Sequence, residues 1–313
     1  MRINLYFEEG LGAETIRSIV SNWITSIGDR LGVNIDNIST VGIAYSETYS
    51  EAISDLFGNS GYTNNDVYIG VGKSHTTIVD GVVQHTILLN VCIFEMIFSG
   101  INDSGSSNVL EWKPESQLGQ FIIAHELGHC RNNELHHWPD TQPLQFAMGF
   151  DLDLVHRYYS DILIEEIGAC LHADRFYSRE LFFYTLDNDC QSLNNHKLEF
   201  ELEKSQDRDD RILRVACTGS SLIWLYLIQF SKIIVGKLGT SFESESLNRL
   251  FADLPGMEFL QPRITDTVSS FCSTYPNEVE KFREEIVAIW ENMCELLEIK
   301  FTKDVEGWSC YWN

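Results

Sequence analysis

The chain has 313 residues, of which 44% are hydrophobic and 12% aromatic, and its formal net charge at pH 7 is −24. This composition supplies enough apolar residues for one large domain or for two of moderate size. The acidic excess argues against a nucleic-acid partner, because binding to phosphates requires a basic surface.

The cellular compartment is suggested by what the sequence lacks. Residues 1–7 alternate apolar and polar side chains and do not have the layout of a signal peptide. None of the eight cysteines forms a Cys-x-x-Cys pair, which favours free thiols. The longest apolar run, residues 222–235, is interrupted by Gln229, Ser231 and Lys232, so it is too short and too polar to span a bilayer. We expect a cytoplasmic protein with no membrane partner; the oligomeric state is left open.

The first part of the chain carries both strand and helix patterns. Apolar residues at helical spacing predict an amphipathic helix over residues 16–31 and a short helix over residues 47–57. Segments that are rich in apolar or alternating side chains predict strands at residues 2–7, 40–45 and 67–71.

A hairpin, a loop and a helix start are predicted next. Residues 76–79 and 82–89 are joined by an Asp-Gly pair at residues 80–81, which is typical of a tight hairpin turn. Residues 100–108 are rich in Gly, Ser and Asn, which indicates an exposed loop. Pro114 then favours the start of a helix, because proline fits the first helical turn.

This helix contains residues 125–129, which read H-E-L-G-H and match the pattern H-E-x-x-H. Residues four apart lie on one face of a helix, so His125 and His129 point the same way and can bind one metal ion. Glu126 projects beside that ion, where its carboxylate can act on a bound water. The preceding residues are apolar, and polar groups buried beside them are costly without a partner. The pattern therefore predicts a zinc site.

From residue 151 onward the pattern is almost wholly helical. The clearest helical segments are residues 199–217, 221–238, 242–254 and 277–299. The aromatic tail, residues 307–313, is predicted to pack against the rest of the chain. The predicted class is α+β, with a mixed N-terminal part and small sheet, the H-E-x-x-H helix, and a mostly helical C-terminal half. We divide the chain into residues 1–112 and 113–313, two lobes of one catalytic unit with a cleft between them.

The H-E-L-G-H segment resembles the active-site helix of the HExxH zinc metallopeptidases, and the chain looks like a gluzincin of the small bacterial type. The resemblance covers this helix and a short segment downstream. It implies that His125 and His129 bind zinc and that Glu126 is the general base. It also implies an edge strand beside the helix that binds an extended substrate backbone. For the predicted hairpin, an ordinary sheet strand is the alternative.

A catalytic zinc ion usually has three protein ligands and one position for water. Residues 161–174 resemble the second helix of gluzincins, which implies Glu166 as the third ligand, with Glu165 as the second choice. In the family, an Asp four residues after the ligand orients a histidine, whereas Cys170 stands there in this chain. The orienting partner is therefore weaker here or comes from elsewhere.

Other third ligands stay open. A second alignment with the same family places Cys170 itself at the ligand position. His136 and His137 lie close to the third histidine of metzincins, but the spacing is off by one residue and no glycine intervenes. His156 and His172 are further candidates for the third ligand. For His172, burial in the core is the alternative interpretation.

Three residues are candidates for stabilising the reaction's oxyanion. In related peptidases a Tyr or a His from the helical half donates a hydrogen bond to the tetrahedral intermediate. The resemblance therefore implies catalytic roles for His156, Tyr158 or Tyr159. Burial in an aromatic core is the alternative for each.

The predicted function is zinc-dependent hydrolysis of peptide bonds in a peptide or protein substrate, with Glu126 taking the proton of the attacking water. Two alternatives remain open. One is a non-catalytic or regulatory protein in which the metal stabilises a scaffold, and the other is a zinc hydrolase of a non-peptide substrate.

Overall fold

The computed structural model describes residues 1–7, 12–58, 71–105, 111–136, 151–176, 178–206, 211–238, 257–304 and 307–312. The chain divides by its internal packing into two compact units. The first comprises Met1–Pro143 and Gly168–Leu181, and the second comprises Leu144–Ile167 and Phe182–Asn313. The strand predicted at residues 67–71, except its last residue, the helix predicted at residues 242–254 and the candidate ligand His137 lie outside the described residues.

The first unit is built on a mixed sheet of four strands in the order β1-β2-β4-β3. These strands are β1 (Arg2–Tyr6), β2 (Ile38–Ala44), β3 (Gly72–Val79) and β4 (Val82–Asn90). β1 and β4 run parallel to β2, whereas β3 pairs antiparallel with β4. The strands predicted at residues 2–7 and 40–45 are confirmed. Among the described strands, β3 lies at one edge of the sheet.

The predicted hairpin is confirmed as β3 and β4. Its turn has two successive positive φ angles, 53° at Asp80 and 78° at Gly81. Such a turn matches the right-handed twist of the flanking strands, and Asp-Gly is among the pairs that favour it. β3 begins earlier than the sequence predicted, at Gly72.

Four helices cover the sheet of the first unit: α1 (Ala13–Leu31), α2 (Tyr49–Phe57), α3 (Val91–Ser104) and α4 (Pro114–His136). Successive strand residues point to opposite faces. Ile87 and Leu89 of β4 therefore join the main core with residues of α1, α3 and α4, while Leu88 faces α2. Because α4 packs on α1, α3 and β3, it belongs to the first unit, and the division by packing differs from the one predicted at residue 112.

The loop predicted at residues 100–108 is wrong in its first part, because α3 continues to Ser104. The Asn90 side chain caps the start of α3 by accepting a hydrogen bond from the Cys92 N–H at 3.0 Å. Gly100 lies inside the helix where a Cβ would come within 2.6 Å of the Trp112 ring, so the glycine there serves close packing. Gly105, at φ 64°, ends the helix in the left-handed region that suits glycine.

The second unit is mostly helical, and together with the first it confirms the α+β class. Its elements are α5 (Leu152–Ala173), α6 (Arg179–Ser205), α7 (Arg211–Leu238), α8 (Met257–Thr274), α9 (Val279–Leu296), β5 (Ile299–Asp304) and β6 (Gly307–Trp312). α5 is one continuous helix that begins in the second unit, and from Gly168 onward its residues pack in the first.

Two expectations for this half are corrected. The helix predicted over residues 199–217 is not one helix, because α6 ends at Ser205 and α7 begins at Arg211. The C-terminal residues form an antiparallel hairpin of β5 and β6 rather than helix. The hairpin packs on α7 and α9, which supplies the apolar partner that a two-stranded hairpin needs.

α7 carries the most apolar stretch, Arg214–Val235. Its length and its mean hydropathy of 1.3 would be enough to cross a membrane, and 67% of its most apolar window is buried by the rest of the protein. A core helix meets the same criteria, and the buried Trp224, Leu227 and Phe230 have that role here.

Candidate metal centre

The H-E-x-x-H segment lies in the middle of α4, as predicted. The rings of His125 and His129 are on one face of this helix, with centroids 4.8 Å apart and planes at 85°. On the other side, Ala124 and Leu127 are fully buried in the core of the first unit. The apolar residues therefore anchor the helix, while both imidazoles stay half-buried.

Beside the motif, the backbone of α5 packs directly against the backbone of α4. A Cβ at Gly128 would lie 2.5 Å from the Ala169 carbonyl oxygen and 3.1 Å from its Cα. Only glycine allows this contact, since the obstacle is main chain and cannot rotate away. Glu166 stands three residues before Ala169 on the same helix, so the contact brings its turn of α5 to the motif.

His125, His129 and Glu166 form one cluster. Each offers a ligand atom, and these atoms all lie within 4.8 Å of one another. All three side chains are half-buried. Within the described ranges no other group of three such residues meets this geometry. The structure thus brings together the three residues that the sequence analysis named as ligands, while Glu165 and Cys170 are not members of the cluster.

The Glu166 carboxylate forms an ion pair with a lysine of another helix. Lys232 of α7 places its Nζ 2.7 Å from Glu166 Oε2. The two side chains are 32% and 20% exposed, so the ion pair is partly shielded from water.

Cys170 contacts the first histidine of the motif. Its Sγ lies 3.7 Å from His125 Nδ1, and the residue is 6% exposed. A thiol therefore occupies the position of the orienting Asp that the resemblance implied. With the thiol against Nδ1, coordination of a metal by His125 would use Nε2.

Glu126, the predicted general base, is 8% exposed and lies against the start of β3. A Cβ at Gly72 would come within 2.9 Å of Glu126 Cγ and 3.0 Å of Oε1. The Glu126 carboxylate affects the pKa of two neighbouring side chains. Burial lowers the pKa of Lys73 to about 8 while Glu126 opposes that shift, and burial followed by Glu126 raises the pKa of Tyr49 well above its usual value.

The three predicted oxyanion residues lie in the first turns of α5 among aromatic rings of the second unit. The His156 ring is 4.5 Å from the Trp290 ring, and Tyr159 stacks on Trp224 with centroids 5.5 Å apart. Burial lowers the pKa of His156 to about 4, which keeps the ring neutral at pH 7. Burial also raises the pKa of Tyr158. These contacts match the aromatic-core alternative.

The remaining histidine candidates do not join the cluster. His136 is the last residue of α4 and is half-buried. His172 lies near the end of α5, where burial, followed by the nearby Arg131, lowers its pKa to about 4. A neutral, partly buried ring fits the core interpretation of His172.

Two contacts of the site were missed in the sequence. One is Gly72 against Glu126, for which the local pattern carries no signal. The other is Lys232, whose signal is a single cation in the apolar run of α7, a position that calls for a partner.

Comparison of the chain with models of protein families, with curated proteins and with solved structures found no match.

Proposed function

We propose that this protein is a zinc-dependent hydrolase of peptide bonds. The observation that carries the proposal is the cluster of His125, His129 and Glu166, whose ligand atoms lie within 4.8 Å of one another. Two imidazoles and one carboxylate are a donor set that catalytic zinc uses, with a fourth position left for water. The set fits the ion in charge as well, because it adds one negative charge to a divalent cation. When bound, zinc lowers the pKa of water and polarises a carbonyl group.

Glu126 supplies the proton transfer in this proposal. It follows His125 on α4, and its 8% exposure restricts the motion of its side chain. It accepts a proton from the attacking water and delivers it to the leaving amine. No covalent intermediate with the protein is required.

The position of β3 favours a peptide over other substrates. β3 is last in the strand order among the described residues, and its first residue, Gly72, touches Glu126. An extended peptide can pair with such a strand through main-chain hydrogen bonds, with little dependence on its side chains. A substrate bound this way would have its backbone next to the general base.

The proposal is tested by separating metal binding from turnover. Glu126→Gln is expected to bind zinc with unchanged stoichiometry and to lose hydrolysis of a peptide library by at least about 100-fold, in line with the loss of a general base. His129→Ala is expected to lose the metal, as measured by elemental analysis after dialysis. Glu115→Gln, an exposed position in the first turn of the same helix, is the matched control and should change neither.

Full activity of Glu126→Gln would contradict the mechanism, and unchanged zinc content of His129→Ala would contradict the site. The contact of Cys170, rather than a carboxylate, with His125 keeps a second candidate open: a non-catalytic protein that zinc stabilises. In that case zinc would raise the melting temperature, and the wild type would hydrolyse no more peptide than Glu126→Gln.

A further inference from the structure

Lys232 occupies an unusual place for a cation. It lies in the second half of α7, between Ser231, which is fully buried, and Ile233, which is 2% exposed. The Lys232 side chain is itself 32% exposed, and a charge that is partly withdrawn from water is stabilised by a partner of opposite sign. The position of Lys232 therefore calls for an explanation beyond the solubility of the helix.

Its partner is the carboxylate of the metal cluster. The Nζ of Lys232 is 2.7 Å from Oε2 of Glu166, so the two side chains form an ion pair. A carboxylate has two oxygens, so Glu166 can keep this ion pair at Oε2 and direct Oε1 to a metal.

We propose that Lys232 is the positioning residue of the third metal ligand. It holds one oxygen of Glu166 and thereby fixes the rotation of the carboxylate, so that the other oxygen is aimed at the site of His125 and His129. A free glutamate would have to lose the freedom of its side-chain torsions when the metal binds, whereas the ion pair restricts them beforehand. The inference rests on the metal site of the proposed function and adds a residue to it.

An exposed ion pair of the chain provides a comparison. Lys281 pairs with Glu278 at 3.2 Å, but those side chains are 61% and 49% exposed. Exposed pairs of this kind contribute little, because water screens them and long side chains lose entropy. The Lys232 pair is shorter and more shielded, and its acid is a member of the metal cluster.

The test is the zinc affinity of the full chain, measured by competition with a chromophoric chelator. Lys232→Met is expected to weaken zinc binding by about 10- to 100-fold, the usual effect of removing a partner of a metal ligand. Lys232→Arg keeps a cation at the carboxylate and should retain most of the affinity. Lys281→Met, the matched control, removes an ion pair outside the cluster and should change nothing.

A double-mutant cycle distinguishes positioning from a general loss of stability. In the Glu166→Gln background the carboxylate is gone, so Lys232→Met should cause no further loss of zinc affinity. If Lys232→Met does not fold, as judged by circular dichroism, Lys232→Gln takes its place with the same expected loss.

Unchanged zinc affinity of Lys232→Met would overturn the positioning role, and tighter binding would overturn it by showing that the ammonium group competes with the metal. An equal loss in the Glu166→Gln background would also overturn it. Each of these results leaves the proposed hydrolase intact if the wild type binds zinc and hydrolyses peptides. A wild type that binds no zinc would overturn both proposals.

Discussion

At the scale of single residues, the contact of Cys170 with His125 carries chemistry that composition does not show. The Sγ lies 3.7 Å from Nδ1, so the side chain that faces this nitrogen is a thiol. A thiol is a weaker hydrogen-bonding partner than a carboxylate, and it adds no negative charge when protonated. His125 is therefore expected to be a less basic ligand than a histidine held by aspartate.

Replacing this thiol should weaken the metal site. Cys170→Ala removes the partner of His125 Nδ1, and zinc affinity is expected to fall by up to about 10-fold, the lower end of the effect of such partners. The measurement is chelator competition at pH 7. Cys294→Ala, at a buried position of α9 that is 3% exposed, is the control. Equal affinities for Cys170→Ala and the wild type would show that the thiol does not orient His125.

At the scale of secondary-structure elements, the site depends on how closely α4 and α5 approach. The Ala169 carbonyl oxygen would be only 2.5 Å from a Cβ at Gly128. A main-chain obstacle can be relieved only by moving a helix, and such a movement would carry Glu166 away from the histidines. Glycine at position 128 has a hydrogen atom where alanine has a methyl group. It therefore allows α4 and α5 to lie close enough for the three candidate ligands to cluster.

Gly128→Ala is accordingly expected to affect stability and metal binding together. The added methyl group should lower the free energy of unfolding by about 1–3 kcal/mol, typical of overpacking, and should weaken zinc binding. Urea denaturation and chelator competition measure the two effects. Gly12→Ala is the matched control, since a Cβ there meets nothing within 4 Å and its φ of −94° suits any residue. Full zinc affinity in Gly128→Ala would mean that the helices can separate without cost to the site.

At the scale of the whole molecule, stability should depend on pH through buried groups. Burial lowers the pKa of His156 in the folded protein to about 4, from an ordinary value of 6.5. Between these two values the unfolded chain binds more protons at this position than the folded chain does. The free energy of unfolding therefore falls as the pH drops from about 6.5 to about 4, and the contribution is complete above 6.5.

His156→Phe should reduce this pH dependence. Phenylalanine fits an aromatic environment beside Trp224 and Trp290 and takes up no proton. Urea denaturation at pH 7 and at pH 4.5 should show a smaller loss of stability for the variant than for the wild type. An identical loss in both proteins would mean that His156 does not contribute to the acid sensitivity.

The parts that could be predicted from the sequence are those with short-range causes. Two histidines four residues apart share a helix face because of helical geometry alone. The Asp-Gly turn follows from the backbone angles that these residues tolerate. In contrast, α3 was not predicted, and its last turn was interpreted as a loop because residues 100–108 are rich in Gly and Ser. In the structure Gly100 packs closely against Trp112, a tertiary contact that the local pattern does not show. Local propensity is a weak preference that such packing overrides.

The sequence by itself determined that a helix presents His125 and His129 on one face with Glu126 beside them. It also named Glu166, by resemblance rather than by spacing, as the third member of the set. Only the tertiary structure decided that Glu166 clusters with the histidines, that Lys232 forms an ion pair with it and that Gly72 lies against Glu126. The physical reason is that these contacts join residues far apart in the chain, and their distances depend on how whole elements pack.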